Sequence, residues 1–592
     1  MNSRTYYACF VSILITAAML RLPRLDLRPF HGDEAVHAYK LNEILHGDGY
    51  HYDPYEFHGP TLNFFTLPLM WARGVHDYAE LDKAAFRIVP VLFGLGLILL
   101  LPLIADGLGR GATLCGAALT AVSPLMVFTS RYYVQEMLLV FFTFALLACG
   151  WRYVRSRRMV WALLAGACAG LMHATKETSV IALGAMGLAL IASLVWNRRT
   201  TSERTPTADH LPWRIVLASG AVAVVVSVAF FSSFFTNIRG PLDSMLALKV
   251  YLSRGTGETI HLHRWYYYVK MLLYTHLARG PVWSEALIVV LAAVGLLAVN
   301  RRKHLGDARL PFVSFVALYT VLMVVIYSAL PYKTPWSMLG FVHGMILLAG
   351  LGAAVLLHRL KHLSYQIPVG LILLALFAQL TRQSIRTNLD MRFVADARNP
   401  YVYAHPLFGV EALQPFIERL ADVHPDGRGM LVKVIMRNPW PLPWYLRRLD
   451  QVGYWESHPD DCDAPVVITA SDSDAGLADS LSDQYESFVY SLRPDVRLIV
   501  YVNTDLMRRF RERESGKTAT EVSSDQRRAC QEAVAELRLD RRGCNILKHA
   551  TFPRYRCLTV AALIGERLFT VTAWICRRAS WRRGRTSRRT TS

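Results

Sequence analysis

The chain has 592 residues, of which 53% are hydrophobic and 19% charged, with a formal net charge of +20 and a mean hydropathy of +0.26. A soluble protein of this length divides into several domains with amphipathic helices and more charge. Here the first two thirds carry one apolar run after another of the ~20 residues that a bilayer crossing needs. Lys and Arg sit in short clusters between those runs and in a basic tail, which fits membrane orientation and sets nucleic acid aside as a partner. The nine cysteines show no CxxC or His/Cys spacing of a zinc site and read as small hydrophobes in helices.

Arg4 precedes the first apolar segment, 6–22, and Leu22-Pro23-Arg24-Leu25-Asp26 offers no small-residue cleavage site, so an uncleaved span is expected. Further spans are expected at 84–105, 112–128, 134–151, 159–174, 178–196, 213–235, 283–300, 311–330, 336–357 and 365–382, about eleven in all. Two apolar-aromatic stretches, 61–73 and 264–279, read as interfacial helices. The connections rich in arginine (Arg152/Arg155/Arg157/Arg158, Arg198/Arg199/Arg204/Arg214, Arg301/Arg302/Lys303/Arg309 and Arg359/Lys361) then fall on one side. The positive-inside rule makes that side, and the N-terminus, cytoplasmic in a cell (inner) membrane.

The other connections, 23–83, 129–133, 175–177, 236–282 and 331–335, share the outer face with everything from 383 onward. They hold nearly all the unusual polar residues: Asp33, Glu34, His58, Arg131, Lys176, Glu177, His261, His263 and Lys333. Chemistry needs its groups on one side of a bilayer, and this count puts them there. Beyond 382, Leu431–Ile435, Ala464–Thr469 and Leu498–Val502 read as buried strands, with helices around Val410–Leu420 and Asp474–Gln484. The expected organisation is a membrane domain over 1–382 with first outer loop 23–83, a non-cytoplasmic α/β domain over 383–506, and a basic tail over 507–592. That tail has no clear period. Its Cys557–Cys576 stretch is broken by Glu566-Arg567, and it reads as a disordered extension or a frame-shifted end.

Asp33 and Glu34 open the first outer loop. Adjacent residues point about 100° apart on a helix, so one carboxylate can meet a substrate while its neighbour anchors the loop or binds a metal; the plainer alternative is an acidic helix N-terminus. His58 can reach a phosphate or complete a metal site, although a lone histidine is more often structural. Arg131 can fork onto a phosphate with Glu136 orienting it or ligating a metal, against the plainer reading of an interfacial arginine in a tyrosine belt. Lys176 and Lys333 sit in outer turns where a lysine can neutralise a lipid phosphate or simply snorkel to the interface. His261 and His263 alternate, so an extended backbone places both on one face, where they orient groups or hold a metal; the aromatic run after them equally suits a headgroup belt.

These residues resemble those of the GT-C superfamily of polyprenyl-phosphate-sugar glycosyltransferases, which includes protein O-mannosyltransferases. The likeness lies in Asp33-Glu34, the His58-Gly59-Pro60 entry to the next helix, and Ser130-Arg131 followed by Glu136. His31-Gly32-Asp33-Glu34-Ala35, Lys176-Glu177-Thr178, Tyr332-Lys333-Thr334-Pro335-Trp336 and Asn438-Pro439-Trp440-Pro441-Leu442-Pro443-Trp444-Tyr445 are similar to a prokaryotic mannosyltransferase-like subfamily named for flippase-associated activity. Many relatives carry Pro-Pro-Leu after the entry residue, where this chain has Gly59-Pro60-Thr61-Leu62.

The resemblance implies an α-helical polytopic GT-C protein with a C-terminal outer domain. It also implies inverting transfer of a sugar, mannose or another hexose, from a polyprenyl-phosphate donor to a hydroxyl of a protein, lipid or glycan acceptor. Asp33 would be the base; Arg131, Lys333, His58 and Lys176 would meet the donor phosphate. Glu34, Glu136, His261 and His263 would orient these groups or hold a divalent cation. The rival expectation is a non-enzymatic membrane protein that binds or helps flip lipid-linked sugars, which would need the phosphate-binding groups but no base.

Overall fold

The computed structural model describes residues 2–47, 50–53, 58–75, 77–200, 212–254, 261–302, 305–359, 362–474, 477–481 and 484–517. The chain divides into a unit of Met1–Arg513 and a second of Glu514–Ser592. The expected basic tail, 507–592, begins inside a helix, Thr504–Lys517, so its start is not a disordered extension; the rest of that reading, with Cys557–Cys576, lies outside the described residues.

Eight helices among the described residues are long and apolar enough to cross a bilayer. They are α1 (Ser3–Arg21), Lys83–Leu108, Glu136–Ser156, Ser179–Arg198, Trp213–Phe231, Leu310–Ala329, Pro335–Arg359 and Leu363–Leu389. Two shorter apolar helices, Met159–His173 and Ala286–Arg301, fall on two further expected spans. The chain is a multi-pass helical membrane protein.

The expected single span 112–128 is instead a broken pair, Arg110–Val122 and Pro124–Ser130, bent by 60°. Pro124 has no N–H to continue the ladder, and proline ends a helix at the residue before it. The carbonyls freed at the break are taken by Arg21 of α1, which donates from Nη2 to Thr120 O (2.8 Å) and from Nη1 to Ala121 O (2.8 Å). Glu285 secures the start of the second piece, accepting from Ser123 Oγ (2.5 Å) and Leu125 N (3.1 Å).

Of the two expected interfacial helices, the first is Thr61–Arg73. The second is helical only over Tyr267–Leu273, after which Thr275–His276 pairs antiparallel with Val282–Trp283.

The C-terminal sheet has five strands: β1 (Val432–Ile435), β2 (Val452–Trp455), β3 (Val466–Ala470), β4 (Tyr485–Arg493) and β5 (Val496–Asn503). Their order is β2-β1-β3-β5-β4, with β2, β1 and β3 parallel and β3, β5 and β4 antiparallel. β1 and β3 are buried along their whole length, as continuous apolar runs in a parallel sheet require. β2 and β4 lie at the edges and were not expected; β4 carries Glu486, Ser487 and Ser491, which dilute a strand signal.

Candidate active site

The expected first outer loop leads into α2 (Gly32–Leu45). His31 caps this helix: its Nδ1 accepts from Asp33 N (3.0 Å), and Glu34 Oε2 accepts in return from His31 N (2.9 Å). This reciprocal capping box fixes where the helix starts. It also fixes the fates of the two acidic residues.

Glu34 is fully buried and accepts from Arg87 Nε (2.7 Å), Arg87 Nη2 (2.6 Å) and Tyr133 N (3.0 Å). Burial pushes its carboxyl up, but the Arg87 guanidinium overcomes this and holds it at about 2. Such a carboxylate has no lone pair left for a substrate or a cation. Of the expectations for the Asp33-Glu34 pair, Glu34 takes the anchoring one and neither touches substrate nor holds a cation: it is a clamp joining α2 to the span at Arg87 and to the Tyr133 turn. Asp33, turned about 100° away, keeps a side chain 50% exposed.

Arg131 and Lys333 also differ from expectation. Arg131 donates from Nη1 to Arg21 O (2.6 Å) and Pro23 O (2.7 Å), and from Nη2 to Arg24 O (2.9 Å). It holds the turn leaving α1, which has no ladder partners of its own, rather than opening onto a phosphate. Lys333 is buried, with Nζ donating to the carbonyls of His263 (3.3 Å) and Leu330. Its backbone joins an extended pairing in which Lys333 N donates to His261 O (2.9 Å) and His263 N to Pro331 O (3.0 Å).

His261 and His263 are not placed as metal ligands: His261 Nδ1 lies 2.6 Å from Tyr403 Oη, and the His263 ring stacks on Tyr267 at 4.1 Å. Among the described residues no three His, Cys, Asp or Glu side chains gather to hold a metal ion.

Three expected residues, Lys176, Glu136 and His58, are held in buried polar pairs near the next turn of α2. Lys176 forms a buried ion pair with Glu136. His58 Nδ1 lies 2.9 Å from Glu177 Oε2, and Tyr52 Oη donates to Glu177 Oε1 (2.7 Å). Burial raises the Glu177 carboxyl while His58 and Tyr52 pull it down further, to about 2.

One turn beyond Asp33 on α2, His37 packs 6.3 Å from His58 and its Nδ1 is 3.3 Å from Gln135 Nε2. Burial keeps His37 neutral, lowering it to about 3. A polar line thus runs from Asp33 through His37 to His58 and Glu177, and through Gln135 to the neighbouring Glu136 and its lysine.

Gly59 makes this possible. A Cβ there would lie 2.2 Å from Ala174 O, so only glycine lets the His58 turn press against the Lys176 turn. Lys176 and Glu136 also line a small groove between helices with Leu139, Met323, Tyr327 and Trp336.

The C-terminal domain reaches into the same loop. Tyr445 Oη accepts from Phe30 N (3.0 Å) and donates to Glu411 Oε1 (2.8 Å), while Lys83 Nζ pairs with Glu411 at 3.0 Å. Trp444 packs on Phe30 with ring centres 4.2 Å apart. Arg87, Glu411 and Glu285 were not anticipated. Arg87 and Glu285 had a usable signal, a charge inside an expected apolar span; Glu411 had none.

Residues 78–225 match the family model of dolichyl-phosphate-mannose-protein mannosyltransferase. No curated protein sequence matches the chain. Among solved structures, ArnT from Cupriavidus metallidurans in the apo state aligns over 86% of this chain and 99% of its own, at 14% identity and TM-score 0.54. The same protein bound to undecaprenyl phosphate aligns over 84% and 98%, again at 14% and 0.54.

The chain has the GT-C fold.

An Archaeoglobus fulgidus oligosaccharyltransferase tethered with an acceptor peptide also aligns, over 76% of this GT-C chain and 64% of its own, at 13% identity and TM-score 0.47.

Proposed function

We propose that the chain is a membrane glycosyltransferase that moves a sugar, mannose or another hexose, from a polyprenyl-phosphate donor to an acceptor hydroxyl on the non-cytoplasmic face, with inversion. The observation that carries the reading is the contrast within one capping box: Glu34 is locked on Arg87 while Asp33 stays open to solvent. Asp33 is then the general base that takes the acceptor proton during in-line attack at the anomeric carbon, a contribution of about 10²–10⁴-fold. The donor lies with its lipid in the groove lined by Leu139 and Met323 and its phosphate toward Lys176, a cation already desolvated there. His58 stands near enough through His37 to complete that polar surface.

Two further observations support the reading: the family-model match over 78–225 and the GT-C fold shared with a protein solved bound to undecaprenyl phosphate. The convergence of Arg152 and Arg155 on Asp106, with Arg309 donating to the Asp106 carbonyl, supports the sidedness. These arginines gather at one end of the bundle, apart from the outer-loop groups, as the positive-inside rule requires of a cytoplasmic face.

The test is sugar transfer by the purified chain in nanodiscs, supplied with radiolabelled polyprenyl-phosphate sugars and membrane-derived acceptors. Transfer of one sugar, with Lys176→Gln weakening donor binding, is the expected result. Donor binding without transfer to any acceptor would overturn the transferase reading in favour of a lipid-sugar carrier.

A further inference from the structure

The segment Asn438–Tyr445 meets α2 at two places. Tyr445 and Trp444 brace the loop, but Trp440 does something else. It packs on the other flank of α2: a Cβ on Gly32 would lie 3.7 Å from Trp440 Cβ, and its ring meets Tyr39 at 6.0 Å.

At 100° per residue, Gly32, Val36 and Tyr39 form one stripe of α2, with Asp33 on one side of it and His37 roughly 40° further round. Asp33 therefore stands between the His37–Lys176 surface and the Trp440–Tyr39 surface. Asp33, Val36 and Tyr39 are the partly or fully exposed positions here, so the Trp440 side is open.

Arg493, at the end of β4, completes that side. Its Nη2 donates to Trp440 O at 2.8 Å. Its Nε and Nη1 meet no acceptor among the described residues, although the side chain is partly buried. An arginine fork held by one carbonyl, with spare donors and the Asp33 carboxylate near enough to act on its charge, is a receptor for an anion. Aromatic faces beside it suit the apolar face of a sugar ring.

We infer that Trp440, Tyr39 and Arg493 form the acceptor subsite, and that the acceptor is an acidic saccharide whose carboxylate or phosphate is bound by Arg493 while its hydroxyl faces Asp33. This rests on the transferase reading and names its acceptor class. The soluble domain then supplies acceptor choice directly, through one residue of the sheet and one of the motif.

The experiment measures binding of methyl glucuronide, glucose 6-phosphate and neutral methyl glucoside to the full chain in nanodiscs by saturation-transfer NMR, for the parent, Arg493→Gln and Arg493→Lys. The expected result is that one or both acidic sugars bind the parent about tenfold more tightly than the glucoside, the gain of one charge-assisted contact. Which acid wins distinguishes carboxylate from phosphate. Arg493→Gln removes the preference while leaving glucoside binding, which reports that the variant is folded, and Arg493→Lys retains part of it.

Equal binding of all three sugars by the parent, or an acidic preference that survives in Arg493→Gln, overturns the inference. So does displacement of none of them by acceptors that support transfer. The readout needs no turnover: absence of transfer in the same preparation speaks against the transferase reading alone.

Discussion

The two ends of the helical bundle hold their charges in opposite ways. At the end bearing the first outer loop, Glu34 and Arg87 are sealed from solvent at 2.6 Å, and Glu136 is buried on Lys176. At the other end Asp106 meets Arg152 at 3.5 Å and Arg155 at 3.2 Å with all three side chains about a third exposed. Exposed pairs contribute little, because water already solvates each partner. Buried pairs are costly to form and costlier to break, because the surviving charge is stranded. The first end is organised to hold a geometry, and the second leaves its charges to water.

The largest effect expected from this contrast is at Glu34→Gln. Replacing the carboxylate by a neutral amide strands the buried Arg87 guanidinium, a loss of about 3–5 kcal/mol, while the amide oxygen can still accept from His31 N. Thermal unfolding in detergent reads it as a large drop in Tm. A variant as stable as the parent would break the comparison.

Acid should act on the same end. A buried histidine held at about 3 and carboxylates held at about 2 all bind fewer protons folded than unfolded. Stability therefore rises with pH through their windows. It falls on acidification first below the ordinary histidine value of 6.5, as His37 resists charging, and again from the ordinary 4.5 toward about 2, as Glu34 and Glu177 protonate. Tm against pH checks this; a flat profile from pH 6.5 to 4 would contradict the buried His37.

A smaller effect is expected at Tyr445→Phe, which leaves Phe30 N and Glu411 without a shared partner at a cost of about 1 kcal/mol. Its signature is a fall in transfer rate greater than any change in donor affinity, because it loosens the turn before Asp33. At the opposite end, Asp106→Asn should cost no more than about 0–1 kcal/mol and leave transfer unchanged. If it costs as much as Glu34→Gln, the distinction between the two ends fails.

Much of this was legible in the sequence. The apolar runs announced the helices, and the outer turns announced Asp33, His58, Glu136 and Lys176, because ionisable residues at membrane edges need partners. The roles were less legible than the residues. Arg131 and Lys333 look like phosphate ligands in one dimension, yet each is spent on the carbonyls of irregular turns that have no ladder of their own.

Arg87 and Glu34 are 53 residues apart, and no local pattern links them. The bend at Pro124 could have been expected from proline alone. Its filling by Arg21 could not, since that depends on how α1 packs. Edge strands β2 and β4 escaped because only half of an edge strand must be apolar.

The most direct test of the central claim is single-turnover transfer by the parent and by Asp33→Asn, with donor binding measured alongside. Asparagine keeps the size and hydrogen bonding of Asp33 without its basicity. Asp33→Asn is expected to keep the donor affinity and thermal stability of the parent and to lower the rate by about 10²–10⁴-fold. Equal rates in the two proteins would remove Asp33 as the base.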